Sequence, residues 1–323
     1  IMMGTGPFAV PTFRMLVSSP HDVCLLVTRP PVVSRGRPAP PSPMRLAGEE
    51  LGVEIYDPPN VNDDSVIAHL QQYEADLLVV CDYGQILSSD ALAVGKLGGI
   101  NLHGSLLPKY RGAAPVQWCV YNGDEVSGIS VIHMTPRLDG GPVIAVKSLP
   151  VEPDDTSETL ETKLSEAGVE SVTEAIAKLE TWDGHSIIGE VQDPTLATKA
   201  PRLQKGMGDV DWSRPATEIR NQIRAFQPWP GSFSQMERTN GKLQKVILDW
   251  VEVVPEERTD SLDGFAEFEH GQICLCNKEE LWVKTGAGAI SITRIQPVGK
   301  RVMAIDEFIR GYQPVVGSPF RSS

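Results

Sequence analysis

Short apolar runs alternate with amphipathic stretches through the first half of the chain. Val23–Thr28, Leu77–Cys81, Gly99–His103 and Gly128–Met134 are strand-sized and aliphatic or β-branched, and each ends in polar residues or glycine. Between them, Val10–Ser18, Ser42–Leu51 and Asp63–Tyr73 carry apolar residues at helical spacing. Strand and helix in alternation predict an α/β domain with a doubly wound, mainly parallel, Rossmann-like sheet, whose ligands bind at the strand C-termini. A longer helix is predicted after Thr156-Ser157-Glu158, with Leu160, Leu164, Ala167, Val172, Ile176 and Leu179 on its apolar stripe.

From Trp182 to Arg214 the pattern dissolves into Gly, Pro, Lys and Asp, which reads as a linker. Ser213-Arg214-Pro215 then opens a helix with Ile219, Ile223 and Phe226 on one face and Arg220 and Arg224 on another. Beyond Pro228-Trp229-Pro230-Gly231 come runs at Val246–Val254, Phe265–Glu269, Ile273–Cys276, Leu281–Lys284 and Ala289–Ile295, then a short helix at Ala304–Tyr312. Short strands with turns between them predict a small antiparallel OB-like β-barrel. The expected division is a catalytic domain over 1–188, a linker over 189–208 and a second domain over 209–323.

The length of 323 residues suits two domains, and no apolar run approaches the ~20 residues that span a bilayer. Ile1-Met2-Met3 reads as the tail of a strand, so residues are expected to precede Ile1, and a targeting segment among them is left open. Five scattered cysteines argue against a disulfide framework and for a reducing compartment. Cys274 and Cys276, the one close pair, have no partner ligands nearby, and no metal is expected. A net charge of −13 weighs against a broad nucleic-acid surface; any phosphate contact must come from local basic patches.

The most informative segment runs from Gly98 to Gly112. Asn101 and His103 share one face of a strand and lie at its C-terminal end, before the turn at Gly104. An amide and an imidazole side by side can both donate to an oxyanion, and the imidazole can move a proton; equally, such a pair can merely satisfy backbone groups at a strand end. Asp139, in Arg137-Leu138-Asp139-Gly140-Gly141, is a carboxylate able to orient His103 or accept a proton through water, or else an ordinary turn aspartate.

Asn101-Leu102-His103-Gly104-Ser105-Leu106-Leu107-Pro108, Tyr110-Arg111-Gly112-Ala113-Ala114-Pro115 and Leu138-Asp139-Gly140-Gly141 resemble the active-site motifs of the 10-formyltetrahydrofolate-dependent formyltransferases. They are similar to the branch that acts on charged tRNA, and less so to the glycinamide ribonucleotide branch, which has Pro where Gly104 stands. Gly4–Ala9 resembles the family's first strand-to-helix loop, although the family usually has Pro and then Asp after the threonine, and Asp211-Trp212-Ser213 with Arg224–Pro230 resembles the signatures opening its C-terminal domain. The resemblance implies Asn101, His103 and Asp139 as catalytic residues. It implies a folate site lined by Ser105, Leu106, Leu107 and Pro108 with Tyr83, Gly84 and Ile86. The implied reaction is direct formyl transfer from 10-formyltetrahydrofolate, as co-substrate, to the amine of initiator methionyl-tRNA, in a monomer of the bacterial cytoplasm; an organellar setting stays open.

Arg29, Arg35, Arg37 and Arg45 lie in a proline-rich stretch without acidic residues, a basic loop able to touch phosphates. In the family a loop with an Arg-Gly pair here meets the acceptor stem, and Arg35-Gly36 fits it. Arg220 and Arg224, with Lys242 and Lys245, offer a second patch. Three other classes compete. Gly4-Thr5-Gly6-Pro7-Phe8-Ala9 matches a dinucleotide-binding G-x-G-x-x-A, and Arg29 would suit an NADP-dependent oxidoreductase, but this leaves 101–111 unexplained. A non-catalytic RNA-binding module is opposed by the acidic charge. A sugar-nucleotide formyltransferase or formyl-folate hydrolase is disfavoured by the Arg-Gly-Ala-Ala-Pro and Pro-Trp-Pro segments.

Overall fold

The computed structural model describes residues 1–31, 33–34, 37–238 and 241–322, with only the backbone described for Val33, Ser34, Arg37 and Pro38. The chain forms two compact units. The first comprises residues 1–116, 125–151 and 159–202, and the second 117–124, 152–158 and 203–323. A single cut in the chain does not reproduce this division, because two short segments from the N-terminal half belong with the second unit.

In the first unit, β1 (Met2–Gly4), β2 (Leu26–Val27), β3 (Val33–Ser34), β4 (Arg37–Pro38) and β5 (Ile55–Tyr56) come first. Then follow β6 (Leu78–Cys81), β7 (Gly99–His103), β8 (Arg111–Gly112), β9 (Val126–His133), β10 (Val143–Pro150) and β11 (Lys199–Ala200). The main sheet has the order β10-β9-β7-β6-β1-β2-β5. From β5 to β7 its ladders are parallel, while β9 pairs antiparallel with both β7 and β10. The helices of this unit are α1 (Val10–Ser18), α2 (Pro43–Leu51), α3 (Asp64–Gln71), α4 (Ser89–Leu92) and most of α6 (Ser157–Glu180), whereas α5 (Pro115–Asn122) falls mainly in the second unit. The Ser42 hydroxyl caps α2 by accepting from the amide of Arg45, and Gly52 ends that helix at φ 68°. Leu25, Val27, Leu70, Leu78 and Val80 pack into one core on this sheet.

Successive connections carry the chain from β1 outward through β2 to β5, and then from β6 outward through β7 to β9. The direction therefore reverses between β1 and β6, which makes the C-terminal ends of these strands the ligand-binding crevice of such a sheet. The predicted linker behaves differently from expectation. Glu190 bridges Val143, and β11 pairs in parallel with β8, so residues 190–200 are tied to the first unit by backbone hydrogen bonds.

The second unit contains α7 (Ala216–Ala225), α8 (Glu256–Asp260) and α9 (Ile305–Tyr312). Its strands are β12 (Ser232–Glu237), β13 (Leu243–Val253), β14 (Ile273–Cys276), β15 (Leu281–Lys284), β16 (Ala289–Pro297), β17 (Met303–Ala304) and β18 (Phe320–Arg321). They form an antiparallel sheet of order β14-β15-β16-β13-β12-β18, with β17 beside β16. A bridge between Gln272 and Pro319 joins the two edges, an OB-like closure that leaves fewer unpaired strand groups. Ile219 and Ile223 of α7 pack with Val246, Leu248, Ile292 and Phe308 in its core. The strand expected at Phe265–Glu269 is instead a 3-10 turn over Phe265–Glu267, set by Gly264 at φ 70° and the Glu267 amide donating to its carbonyl.

Candidate active site

β7 forms because Ile100 and Leu102 alternate with Asn101 and His103, so one face joins the apolar core and the other presents polar groups. Asn101 pairs with Val80 of β6 on one side and Ile132 of β9 on the other. Its side-chain amide makes no hydrogen bond among the described residues and is half-buried, which leaves its donors available. His103 is buried, and its Nε2 lies 2.9 Å from the carbonyl oxygen of Tyr110. A carbonyl only accepts, so Nε2 carries the hydrogen. Nδ1 is then the working nitrogen, and it faces Asp139 Oδ1 at 3.9 Å, too far for a direct hydrogen bond.

Asp139 is held from the other direction. Its Oδ2 accepts from the amide of Gly112 at 2.8 Å, and its backbone sits at φ 47°. A Cβ on Gly141 would overlap the carbonyl oxygen of His133, so glycine there lets the Asp139 loop close onto β9. The carbonyl of Tyr110 orients His103 by a direct bond, and Asp139 faces the other ring nitrogen.

The loop between His103 and Arg111 is clamped by partners that sequence reasoning missed. Ser130 of β9 donates to the carbonyl of Ser105 at 2.8 Å and accepts from the amide of Leu107 at 3.0 Å. Thr198 Oγ1 accepts from the amide of Tyr110 at 2.8 Å. Gln192 is buried; its Oε1 accepts from Nε and Nη2 of Arg111, while its Nε2 donates to the carbonyls of Asp139 and Gly141 at 2.8 and 2.7 Å. One amide thus ties the second motif to the third. Thr198 and Gln192 lie where the sequence lacks periodicity, and no spacing signal marks them.

The remaining predicted site residues fall into distinct groups. Ser105 donates its hydroxyl to the carbonyl of Lys109 at 2.7 Å, so it shapes the loop, while Leu106, Leu107 and Pro108 stay half-buried on its surface. Tyr83 is in the core, its hydroxyl without a partner among the described residues; Gly84 and Ile86 beside it are exposed, with Ile86 at 63%.

Arg35 lies outside the described residues, and of Arg37 only the backbone, in β4, is described. Arg220 and Arg224 are not free basic groups. Arg220 pairs with Asp154 at 2.9 Å and Glu252 at 3.4 Å, and the buried Arg224 donates to the carbonyl of Asp155 at 2.9 Å. Helical spacing placed them on a polar face, but that face is covered by residues 152–155 of the same unit. Lys245 sits over the ring of Phe233 at 3.4 Å, and Lys242 is exposed at the start of the β12–β13 return.

At the end of β6, Asp82 is exposed, its carboxylate lies against Gly6, and desolvation raises its pKa to about 6.

Comparison with known proteins agrees with this architecture. The model of the formyl transferase family matches residues 1–176, and that of the formyl transferase C-terminal domain matches residues 202–313. The chain belongs to the formyl transferase family. It is 45% identical to the methionyl-tRNA formyltransferase of Rhodopirellula baltica, over 98% of this chain and 95% of that one. To the methionyl-tRNA formyltransferase of Agathobacter rectalis it is 36% identical, over 99% and 98%. Among solved structures, the N-formyltransferase of Helicobacter canadensis in complex with folinic acid and dTDP-3-aminofucose shares the fold at a TM-score of 0.63, with 15% identity over 92% of this chain and 98% of that one.

Proposed function

We propose that this protein transfers the formyl group of 10-formyltetrahydrofolate to the α-amino group of methionyl-initiator tRNA. What supports the reading is the Asp139 carboxylate facing the Nδ1 side of His103, with the unpaired Asn101 amide on the same face of the strand as His103. The folate lies on Leu106–Pro108 and beside Gly84 and Ile86. The aminoacyl amine, as free base, attacks the formyl carbon, and the Asn101 amide donates to the oxygen as it becomes an oxyanion. His103, when protonated at Nδ1, adds a second donor. Carbon–nitrogen cleavage at N10 then leaves the formamide, and the proton lost by the attacking nitrogen reaches N10 through His103, with Asp139 stabilising the imidazolium. No covalent intermediate on the protein is needed.

The RNA is held by local cationic groups, because the net charge of −13 disfavours a broad surface. Arg35 and the neighbouring arginines of residues 29–45 are the first such group, with Lys242 and Lys245 the second. The test is to incubate the protein with formyl-labelled folate and charged initiator tRNA and follow label into acid-precipitable RNA. Label that enters RNA only when the tRNA is charged supports the reading; label released as formate, with none in RNA, rejects it.

A further inference from the structure

His103 takes its orientation from one acceptor, the carbonyl oxygen of Tyr110. The opposite tautomer, with its hydrogen on Nδ1, would set a ring lone pair against that oxygen. The direction of one peptide group therefore selects the nitrogen that faces Asp139. Tyr110 does not hold that direction unaided. Its φ is 63°, in the left-handed region where a residue with a Cβ is sterically disfavoured.

Bonds on both sides keep it there. A peptide group is planar, and those flanking Tyr110 are trans, so fixing both planes fixes the two dihedrals between them. In the first plane, the Lys109 carbonyl accepts from the Ser105 hydroxyl at 2.7 Å, and the Tyr110 amide donates to Thr198 Oγ1 at 2.8 Å. In the second plane, the Tyr110 carbonyl accepts from His103 Nε2. On the opposite edge, the Arg111 amide donates to the Thr198 carbonyl at 2.9 Å. Thr198 thus anchors both planes, one through its side chain and one through its backbone. Its own amide donates to the Pro108 carbonyl at 3.3 Å.

Thr198 is itself held in place. It directly precedes β11, whose Lys199 and Ala200 pair in parallel with Arg111 and Gly112. The Ala200 carbonyl accepts from the Ala114 amide at 3.2 Å. A Cβ on Gly112 would overlap that carbonyl oxygen, so glycine permits the close approach of the two segments. Upstream, the buried Gln192 ties the same stretch to the carbonyls of Asp139 and Gly141. The backbone bonds of this pairing need no particular side chain. The bond to Oγ1 does.

We propose that Thr198 is a positioning residue for His103: its hydroxyl fixes the Tyr110 peptide groups and so holds the imidazole with its hydrogen on Nε2. Nδ1 then stays open to take the proton of the attacking amine and pass it to N10. That catalytic consequence rests on the formyl-transfer reading above, whereas the tautomer is a property of the protein alone. Thr198 acts only through Tyr110.

The test compares Thr198→Val, which keeps the shape and loses the acceptor, with Thr198→Ser, which keeps the hydroxyl. NMR spectra of isotope-labelled imidazole nitrogens are recorded at a pH where the rings are neutral, with His103→Gln to assign the signals. The unaltered protein and Thr198→Ser should show His103 protonated at Nε2 and bare at Nδ1, and Thr198→Val a mixture of both tautomers. Ser105→Ala releases the other edge of the same peptide plane and should shift the tautomer in the same direction. In steady-state formyl transfer from 10-formyltetrahydrofolate to methionyl-tRNA, Thr198→Val should lower kcat about ten-fold, with KM for both substrates little changed. Thr198→Ser should restore kcat to within about two-fold. An unchanged His103 tautomer in Thr198→Val (or in Ser105→Ala, should a thermal melt show the valine variant unfolded) would overturn the proposal. So would a defect confined to KM, or a serine variant as slow as the valine one. Absence of any formyl transfer by the unaltered protein would instead overturn the reading beneath it, and the tautomer would still decide the role of Thr198.

Discussion

Nε2 of His103 donates to the carbonyl oxygen of Tyr110 at 2.9 Å, and this one bond decides which nitrogen of the ring can take part in chemistry. With Nε2 committed, Nδ1 faces Asp139, whose own position is set by the amide of Gly112. Residues 110–112 therefore orient both the base and its carboxylate. Losing the register of that short segment should disturb both groups together.

Asn101→Ala should lower kcat by about two to three powers of ten, since one oxyanion donor is worth roughly 3–4 kcal/mol in comparable sites. The side chain has no internal hydrogen-bond partner among the described residues, so the melting temperature should stay close to that of the unaltered protein. Single-turnover kinetics with a thermal melt checks both halves of this expectation.

Asp139→Asn and Asp139→Ala should separate charge from architecture. The asparagine oxygen can still accept from Gly112, so the fold should be kept while turnover falls. Alanine leaves that amide without its partner, and a further loss of about 1–3 kcal/mol of stability should follow. Chemical denaturation of both variants beside their kcat values measures the difference.

Gln192→Glu should be worse than its similarity suggests. Glutamate could still accept from Arg111, but it has no donor for the carbonyls of Asp139 and Gly141. The expected result is a drop of roughly ten-fold or more in kcat, about 1.4 kcal/mol or more for the two lost contacts, with little change in the KM of either substrate.

The motif residues were legible in the sequence because strand alternation puts Asn101 and His103 on one face, and glycine-flanked Asp139 follows an apolar run. Their supports were not. Gln192 and Thr198 act through side-chain bonds spanning 51 to 88 positions, inside a stretch without periodicity that read as a linker. Arg220 and Arg224 show the opposite failure. Helix geometry identified a polar face, but local pattern carries no record of residues 152–155, which cover it.

Asp82 gives a pH dependence of known sign. Its folded pKa, about 6, lies above the unfolded value of roughly 3.9, so the native state binds the proton more tightly. Stability contributed by this group is present below pH ~4 and declines as pH rises to about 6. Asp82→Asn should consequently melt higher than the unaltered protein at pH 7, and the gap should close near pH 4. Thermal melts across that range show whether it does.

Charge reversal at Arg35 should weaken tRNA use much more than folate binding, and tRNA affinity should fall steeply with added salt. Arg224→Ala should act elsewhere, reducing stability because Asp155 loses a buried donor. Filter binding at several salt concentrations, compared with folate titration, distinguishes the two arginines.

The most direct measurement is a crystal structure with a non-transferable formyl-folate analogue bound. The formyl oxygen is predicted within about 3 Å of Asn101 Nδ2, with His103 Nδ1 and Asp139 bordering the same carbon. A formyl group seated elsewhere, out of reach of all three side chains, would contradict the account.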